Sequence, residues 1–162
     1  MRIPRLNNLS IVHRRLNHFE LAEQFAARNL ALAERHYGSE TVQVSTALET
    51  RARALIAAGR PADAEPLIRR SIEIDTRRVG HASPENASNL EALAQVQSAA
   101  GRHADAEASW KEAIAIYERT LASGAMPIAQ AFEGYATFLE SRGRPEEAAP
   151  LLTRARRIRQ GG

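Results

Sequence analysis

Glu49, Glu91 and Glu133 stand 42 residues apart and form a regular acidic ladder in the sequence. Carboxylates on adjacent packed helices lie roughly 10 Å apart, close enough to favour a ligand carrying Lys or Arg. That spacing is near one Debye length, so their fields overlap only in part in salt. A plainer role is the favoured one, because a carboxylate early in a helix complements its dipole. Glu49 also has Arg53 four residues on, a pairing that steadies a helix by a few tenths of a kcal/mol. A basic ladder with the same step, Arg35, Arg77 and Arg119, falls where helix ends would welcome a cation. Arg154, Arg156, Arg157 and Arg159 gather positive charge near the C-terminus. Arg156 stands where earlier repeats have Leu30, Ile72 and Ile114. It suits either a polar cap on a terminal helix or contact with an anionic surface.

No constellation for catalysis or metal binding accompanies these ladders. The histidines at 13, 18, 36, 81 and 103 include no i,i+4 pair and no HExxH arrangement. GxSxG, GxxxxGK[ST] and GxGxxG motifs are absent. With no cysteine there is neither a disulfide framework nor a thiolate metal site. The single tryptophan, Trp110, suits a packed core position better than a ligand-stacking one. An enzyme is not expected, nor a cofactor, a metal or a small-molecule substrate.

Composition narrows the partners further. The chain has 162 residues, 44% hydrophobic and 25% charged, ordinary for a folded protein. A net charge of +3 comes with only 5% aromatic residues and no basic–aromatic interleaving, which speaks against nucleic acid. No apolar run approaches the roughly 18 residues that span a bilayer, and the N-terminus lacks the apolar stretch of a secretory signal. The cytoplasm is the expected location.

The 42-residue step also governs the elements that position these side chains. Gly59-Arg60, Gly101-Arg102 and Gly143-Arg144 keep it, with Asn17-His18 one period earlier. Ala22-Glu23, Ala64-Glu65, Ala106-Glu107 and Ala148-Ala149 keep it too. Such a period marks a stack of like supersecondary units. In the second unit Leu48, Ala52 and Leu55 share one helical face, and the helix ends at Gly59. Gly turns the chain through positive φ without steric cost, and Asn17 tolerates the same conformation. A second helix from Pro61 to about Arg78 presents Ala64, Leu67, Ile68, Ser71 and Ile72 on one face. The alanines at 22, 64, 106 and 148 would let paired helices approach closely. Polar connectors are expected at 38–41, 80–84 and 123–127.

These hairpins resemble the tetratricopeptide repeat (TPR). Leu9-Ser10, Leu93-Ala94 and Tyr135-Ala136 match the first helix of that motif. Gly59 and Ala64 match its turn and second helix, and Ile68, Trp110 and Leu152 its large position. The usual repeat has about 34 residues. The 42-residue step, with Leu6-Asn7-Asn8-Leu9 and Ala64-Glu65-Pro66-Leu67, is similar to the longer variant of kinesin light chains and many bacterial proteins. Arg51 departs from the pattern by replacing the apolar residue at the Leu9 position. The resemblance implies an all-α fold, a right-handed superhelical solenoid of four helix-turn-helix hairpins. It implies a single TPR-like domain over 1–162, with units near 4–38, 46–80, 88–122 and 130–160.

It further implies a protein-interaction scaffold whose first helices line a concave groove for a peptide or partner segment. The groove positions carry over to Asn7, Asn8 and Ile11, then to Glu49, Thr50 and Arg53. Glu91, Ala92 and Gln95 follow in the third unit, with Glu133, Gly134 and Thr137 in the fourth. The partner would be a protein or peptide, basic if the acidic ladder is used. Two other readings stand beside it. The first helix opens close to Met1 without a cap, so Ile11, Val12 and Leu16 could seek a second copy and make a homo-oligomer. The chain could also be a regulatory or sensor segment of a larger assembly.

Overall fold

The computed structural model describes residues 3–161, with side chains from Arg5 onward. Among the described residues the secondary structure is eight α-helices and no strand. They are α1 (Ile3–Arg15), α2 (Phe19–Tyr37), α3 (Val42–Ala57), α4 (Pro61–Val79), α5 (Pro84–Ala99), α6 (His103–Thr120), α7 (Met126–Ser141) and α8 (Pro145–Arg159). They group into two compact units, Met1–His81 and Ala82–Gly162, each holding two hairpins. The Met1 end invoked for self-association lies outside the described residues.

The helix starts keep the period. Val42, Pro84 and Met126 open the later first helices, while Phe19, Pro61, His103 and Pro145 open the second ones. The first helices of the last three hairpins begin four residues before the expected 46, 88 and 130. Proline is the reason in two of them. Its ring presets φ in the first turn, where a missing N–H is no loss, so Pro84 and Pro127 fall inside α5 and α7 rather than in connectors. Ser83 caps α5, its side chain accepting from Asn86 N.

The turn inside every hairpin is one motif repeated. Asn17 is the sole non-glycine at positive φ among the described residues, at 59°, and Gly59, Gly101 and Gly143 hold 73°, 75° and 71°. Each is followed by a backbone bond back over the helix end, as in a Schellman cap. His18 N donates to His13 O at 2.9 Å, Arg60 N to Leu55 O at 2.8 Å, Arg102 N to Gln97 O at 2.8 Å and Arg144 N to Leu139 O at 3.0 Å. A Cβ on Gly101 would meet open space, so only backbone strain opposes substitution there. Gly101→Val is therefore expected to destabilise by about 1–2 kcal/mol, and Gly101→Asn by clearly less. Urea denaturation of both variants checks this, and equal losses would contradict it.

Packing uses the small residues as expected. Ala22, Ala64, Ala106 and Ala148 are all fully buried. In the first unit Ala22 and Ala26 of α2 meet Ala54 of α3 in one apolar cluster. A second cluster joins Leu30 and Ala33 of α2 to Val44, Ala47 and Leu48 of α3 and Ile74 of α4. Ser45 adds a buried polar tie from α3 to α4, donating to Asp75 Oδ2 at 2.5 Å. The second unit buries larger groups, with Ile116, Ile128, Phe132 and Leu139 almost fully enclosed and Trp110 only 3% exposed. Trp110 is thus a core residue, as its sequence position implied.

Candidate functional site

Within each unit the two first helices lie side by side, α1 with α3 and α5 with α7. This neighbouring pair of helix faces carries the residues singled out in the sequence. In the first unit the half-buried Asn7 accepts a hydrogen bond through Oδ1 from Thr50 Oγ1 at 2.7 Å, tying α1 to α3. Asn8 is exposed and Ile11 half-buried. Glu49 and Arg53 form the expected i,i+4 pair at 2.9 Å. Arg14 stands within the field of that pair. Burial, followed by repulsion from Arg53 and Arg15, lowers its guanidinium pKa.

The corresponding positions of the second unit are arranged differently. Glu133 is gripped by both arms of Arg159, with Nε on Oε1 at 2.6 Å and Nη2 on Oε2 at 2.7 Å. Hydrogen bonding by Arg159 lowers the Glu133 pKa. Ala92 is fully buried, while Gln95 and Thr137 are exposed and line one recess together. Gly134 lies over Trp110, which approaches where a Cβ would stand to 2.4 Å. The acidic ladder thus divides between the units, Glu49 in the first and Glu91 with Glu133 in the second. Its members at 49 and 133 already hold arginines.

Several contacts had no counterpart in the sequence reading. Arg51, the departure from the repeat pattern, bonds through Nε to Glu23 Oε1 at 3.1 Å. Tyr135 fills the same register of the last hairpin, and its hydroxyl donates to Glu107 Oε1 at 3.1 Å. An apolar position has become the donor to a carboxylate on the preceding helix in both units. The 42-residue register holds the signal, since each donor follows its carboxylate by 28 residues. Among the histidines, Nδ1 of His13 and His18 lie 3.3 Å apart across the first turn, with His13 stacked on Phe25. No group of three or more His, Asp or Glu suited to a metal occurs among the described residues. Several basic side chains are used structurally. Arg77 pairs with Glu40 and Glu73, and Arg154 pairs with Glu118 while covering the Phe132 ring at 4.3 Å.

Glu107 is the electrostatic centre of the second unit. It accepts from Arg144 at 2.5 Å, Lys111 at 2.7 Å and Tyr135 at 3.1 Å. The Arg144 bond, then the Lys111 bond, hold its carboxyl at about 2 instead of 4.5, against the upward push of burial. A carboxyl depressed in the folded chain adds stability above its unfolded value and loses it as pH falls towards the folded one. This contribution should be complete above about pH 5 and decline between pH 4.5 and about 2. With 20% of the side chain exposed, solvent screening limits it to about 1–2 kcal/mol. Glu107→Gln should lower stability at neutral pH by that amount and flatten the acid limb. Denaturant melts from pH 7 to 2 read both effects; parallel limbs for the two proteins would contradict it.

Comparison with known proteins follows the same register. A family model described as tetratricopeptide repeat matches residues 3–77, 43–119 and 85–161. Among solved structures, BtubC (BKLC) from P. vanneervenii is 19% identical with a TM-score of 0.77, over 98% of this chain and 63% of that one. A Podosopora anserina protein of nearly identical TPR-like repeats, of kinesin-light-chain type, is 20% identical with a TM-score of 0.79, over 99% of this chain and 76% of that one. A single-substitution form of the same protein gives 0.78 at the same identity. The chain spans 63% of the length of BtubC. No curated protein matches it in sequence.

Proposed function

We propose, from the premise that this chain belongs to the tetratricopeptide repeat family, that it is a non-catalytic scaffold binding a partner protein segment along its first helices. Repeats of this family generally mediate protein–protein interaction. The observation carrying the finer reading is the pair of first helices side by side in each unit, tied by Asn7–Thr50 in the first, with side chains on these faces already held by Glu49–Arg53 within α3 and by Arg159 of α8 on Glu133. Side chains already held in place lose little entropy on binding, so the cost of ordering falls on the ligand. Asn8, Ile11, Gln95 and Thr137 stand beside these pairs and are the proposed contacts. The proposal extends to the four hairpins acting as one repeat domain and to a cytoplasmic setting. No helix of the chain's described residues is long and apolar enough to cross a membrane.

A basic segment is the proposed partner class, since Glu49, Glu91 and Glu133 all belong to these faces. Glu49 and Glu133 are shared with arginines of the chain, so their contribution to affinity is modest, each below about 1 kcal/mol and reduced by salt. Asn8→Arg, Ile11→Arg, Gln95→Arg and Thr137→Arg combined should abolish capture of partners from native lysate while the chain stays folded, with only the half-buried Ile11 costing stability. Capture unchanged by the four substitutions would contradict the reading.

A second reading has its own observation. Val12 of α1 and Leu16, in the turn just past its end, are 49% and 57% exposed, a pair that a second copy could cover. Under this reading the protein dimerises through its first hairpin, and Val12→Glu with Leu16→Glu restores a folded monomer. Light scattering of a strictly monomeric wild type at high concentration would remove it.

A further inference from the structure

The turn of the first hairpin brings two imidazoles together. Asn17, at φ 59°, reverses the chain, and His18 N donates to His13 O at 2.9 Å across the end of α1. That closure sets the two side chains next to each other, with their Nδ1 atoms 3.3 Å apart and their ring centroids 5.5 Å apart. A five-residue spacing lies outside the i,i+4 pattern by which one helix presents two ligands, so the turn makes this pair. The other hairpins close through the same backbone bond, with Arg60 and Leu55, Arg102 and Gln97, and Arg144 and Leu139 in these places. The turn itself therefore needs no histidine at either position.

The separation suits a shared metal ion better than a shared proton. At 3.3 Å the two nitrogens stand further apart than the roughly 2.7–3.2 Å usual for a hydrogen bond from nitrogen. Two imidazole nitrogens bound at about 2.0–2.1 Å to one tetrahedral zinc lie about 3.3–3.4 Å from each other. Phe25 of α2 stacks on His13, with centroids 5.2 Å apart and planes 19° from parallel, which holds that ring in place before any ligand arrives. His18 is exposed, and its side chain makes no capping bond to α2. Arg14 and Arg15 follow His13 by one and two positions, which a helix turns onto other faces. The negative end of α1 and the positive end of α2 meet at this turn, so their dipoles oppose each other there.

We propose that His13 and His18 bind one divalent transition-metal ion of the zinc class through their Nδ1 atoms. Neutral imidazole is a favoured ligand of such ions. A proton shared between the rings moves to Nε2 of the ring that carried it, so both Nδ1 lone pairs face the ion. Two protein ligands leave the other positions of a tetrahedral ion to water. The bound ion pins the end of α1 to the start of α2 and stays exchangeable. The inference goes beyond the scaffold reading and does not depend on it.

The probe is Zn²⁺ alone, titrated by calorimetry into the untagged full chain while the imidazole nitrogens are followed by NMR. One equivalent should bind saturably, shift the Nδ1 resonances of His13 and His18 together and leave those of His36, His81 and His103 in place. His18→Gln, a change at an exposed side chain, should weaken uptake at least about tenfold, because the second imidazole acts at the high effective concentration of an intramolecular ligand. His13→Gln should weaken it equally, and His36→Gln should leave it unchanged. His13→Gln also removes the ring stacked on Phe25, so His18→Gln decides the outcome if the first hairpin loosens. No saturable uptake at millimolar Zn²⁺, uptake indifferent to His18→Gln, or a shift confined to one of the two rings overturns the inference.

Discussion

Trp110→Ala is expected to destabilise the chain by about 3–5 kcal/mol and to reverse the sign of a substitution at Gly134. The indole is 3% exposed and belongs to the core of the second unit. Its ring edge also occupies the space a side chain at Gly134 would need. Glycine within a helix costs about 1 kcal/mol relative to alanine, so Gly134→Ala should be favourable wherever that space is free. In the wild type it is not free. Overpacking against a ring held on its other sides costs about 1–3 kcal/mol, which outweighs the gain. In the Trp110→Ala background the same change should be neutral or stabilising. Urea denaturation of the four proteins in this double-mutant cycle measures the coupling. Additive effects would show that Trp110 and Gly134 do not meet.

Leu48→Ala is expected to cost about 2–5 kcal/mol. Leu48 is fully buried and stands where α2, α3 and α4 meet, among Leu30, Ala33, Val44, Ala47 and Ile74. Alanines already fill part of that cluster, so few large side chains are present to collapse into the vacated volume. The loss should appear first as faster hydrogen exchange in α2, α3 and α4, the helices that share the cluster. A loss below about 1 kcal/mol would mean that the cluster does not depend on this side chain.

The parts of the fold legible in the sequence were those fixed by backbone geometry. Asn17, Gly59, Gly101 and Gly143 each stand at positive φ, because a tight turn at a helix end admits few residue types, and this leaves a mark at a fixed interval. The buried alanines at 22, 64, 106 and 148 were legible for a related reason, since close helix approach excludes larger side chains. α3, α5 and α7 start four residues before the expected positions, and the buried Val44 and Ile128 belong to the first turns so added. Pro84 and Pro127 held the correcting signal.

Side-chain partnerships were far less legible. Glu49–Arg53 was visible because both residues lie on one helix face. Glu133–Arg159 joins α7 to the end of α8, and no local rule predicts which arginine of a basic terminus will reach a given carboxylate. The fit of Trp110 against Gly134 was hidden for the same reason. Trp110 was expected in the core, where it lies, and Gly134 on the groove side of a first helix, but their contact depends on how α6 and α7 pack.

The most direct test of the central claim is site-specific photo-crosslinking, in which a benzophenone amino acid is placed at one position at a time in the full chain. Asn8, Gln95 and Thr137 sample the proposed binding faces, and the exposed Arg28, Ala108 and Arg156 sample the second helices. The scaffold account predicts crosslinks to a partner protein from the first three positions and none from the other three. Crosslinking confined to Arg28, Ala108 and Arg156 would contradict it.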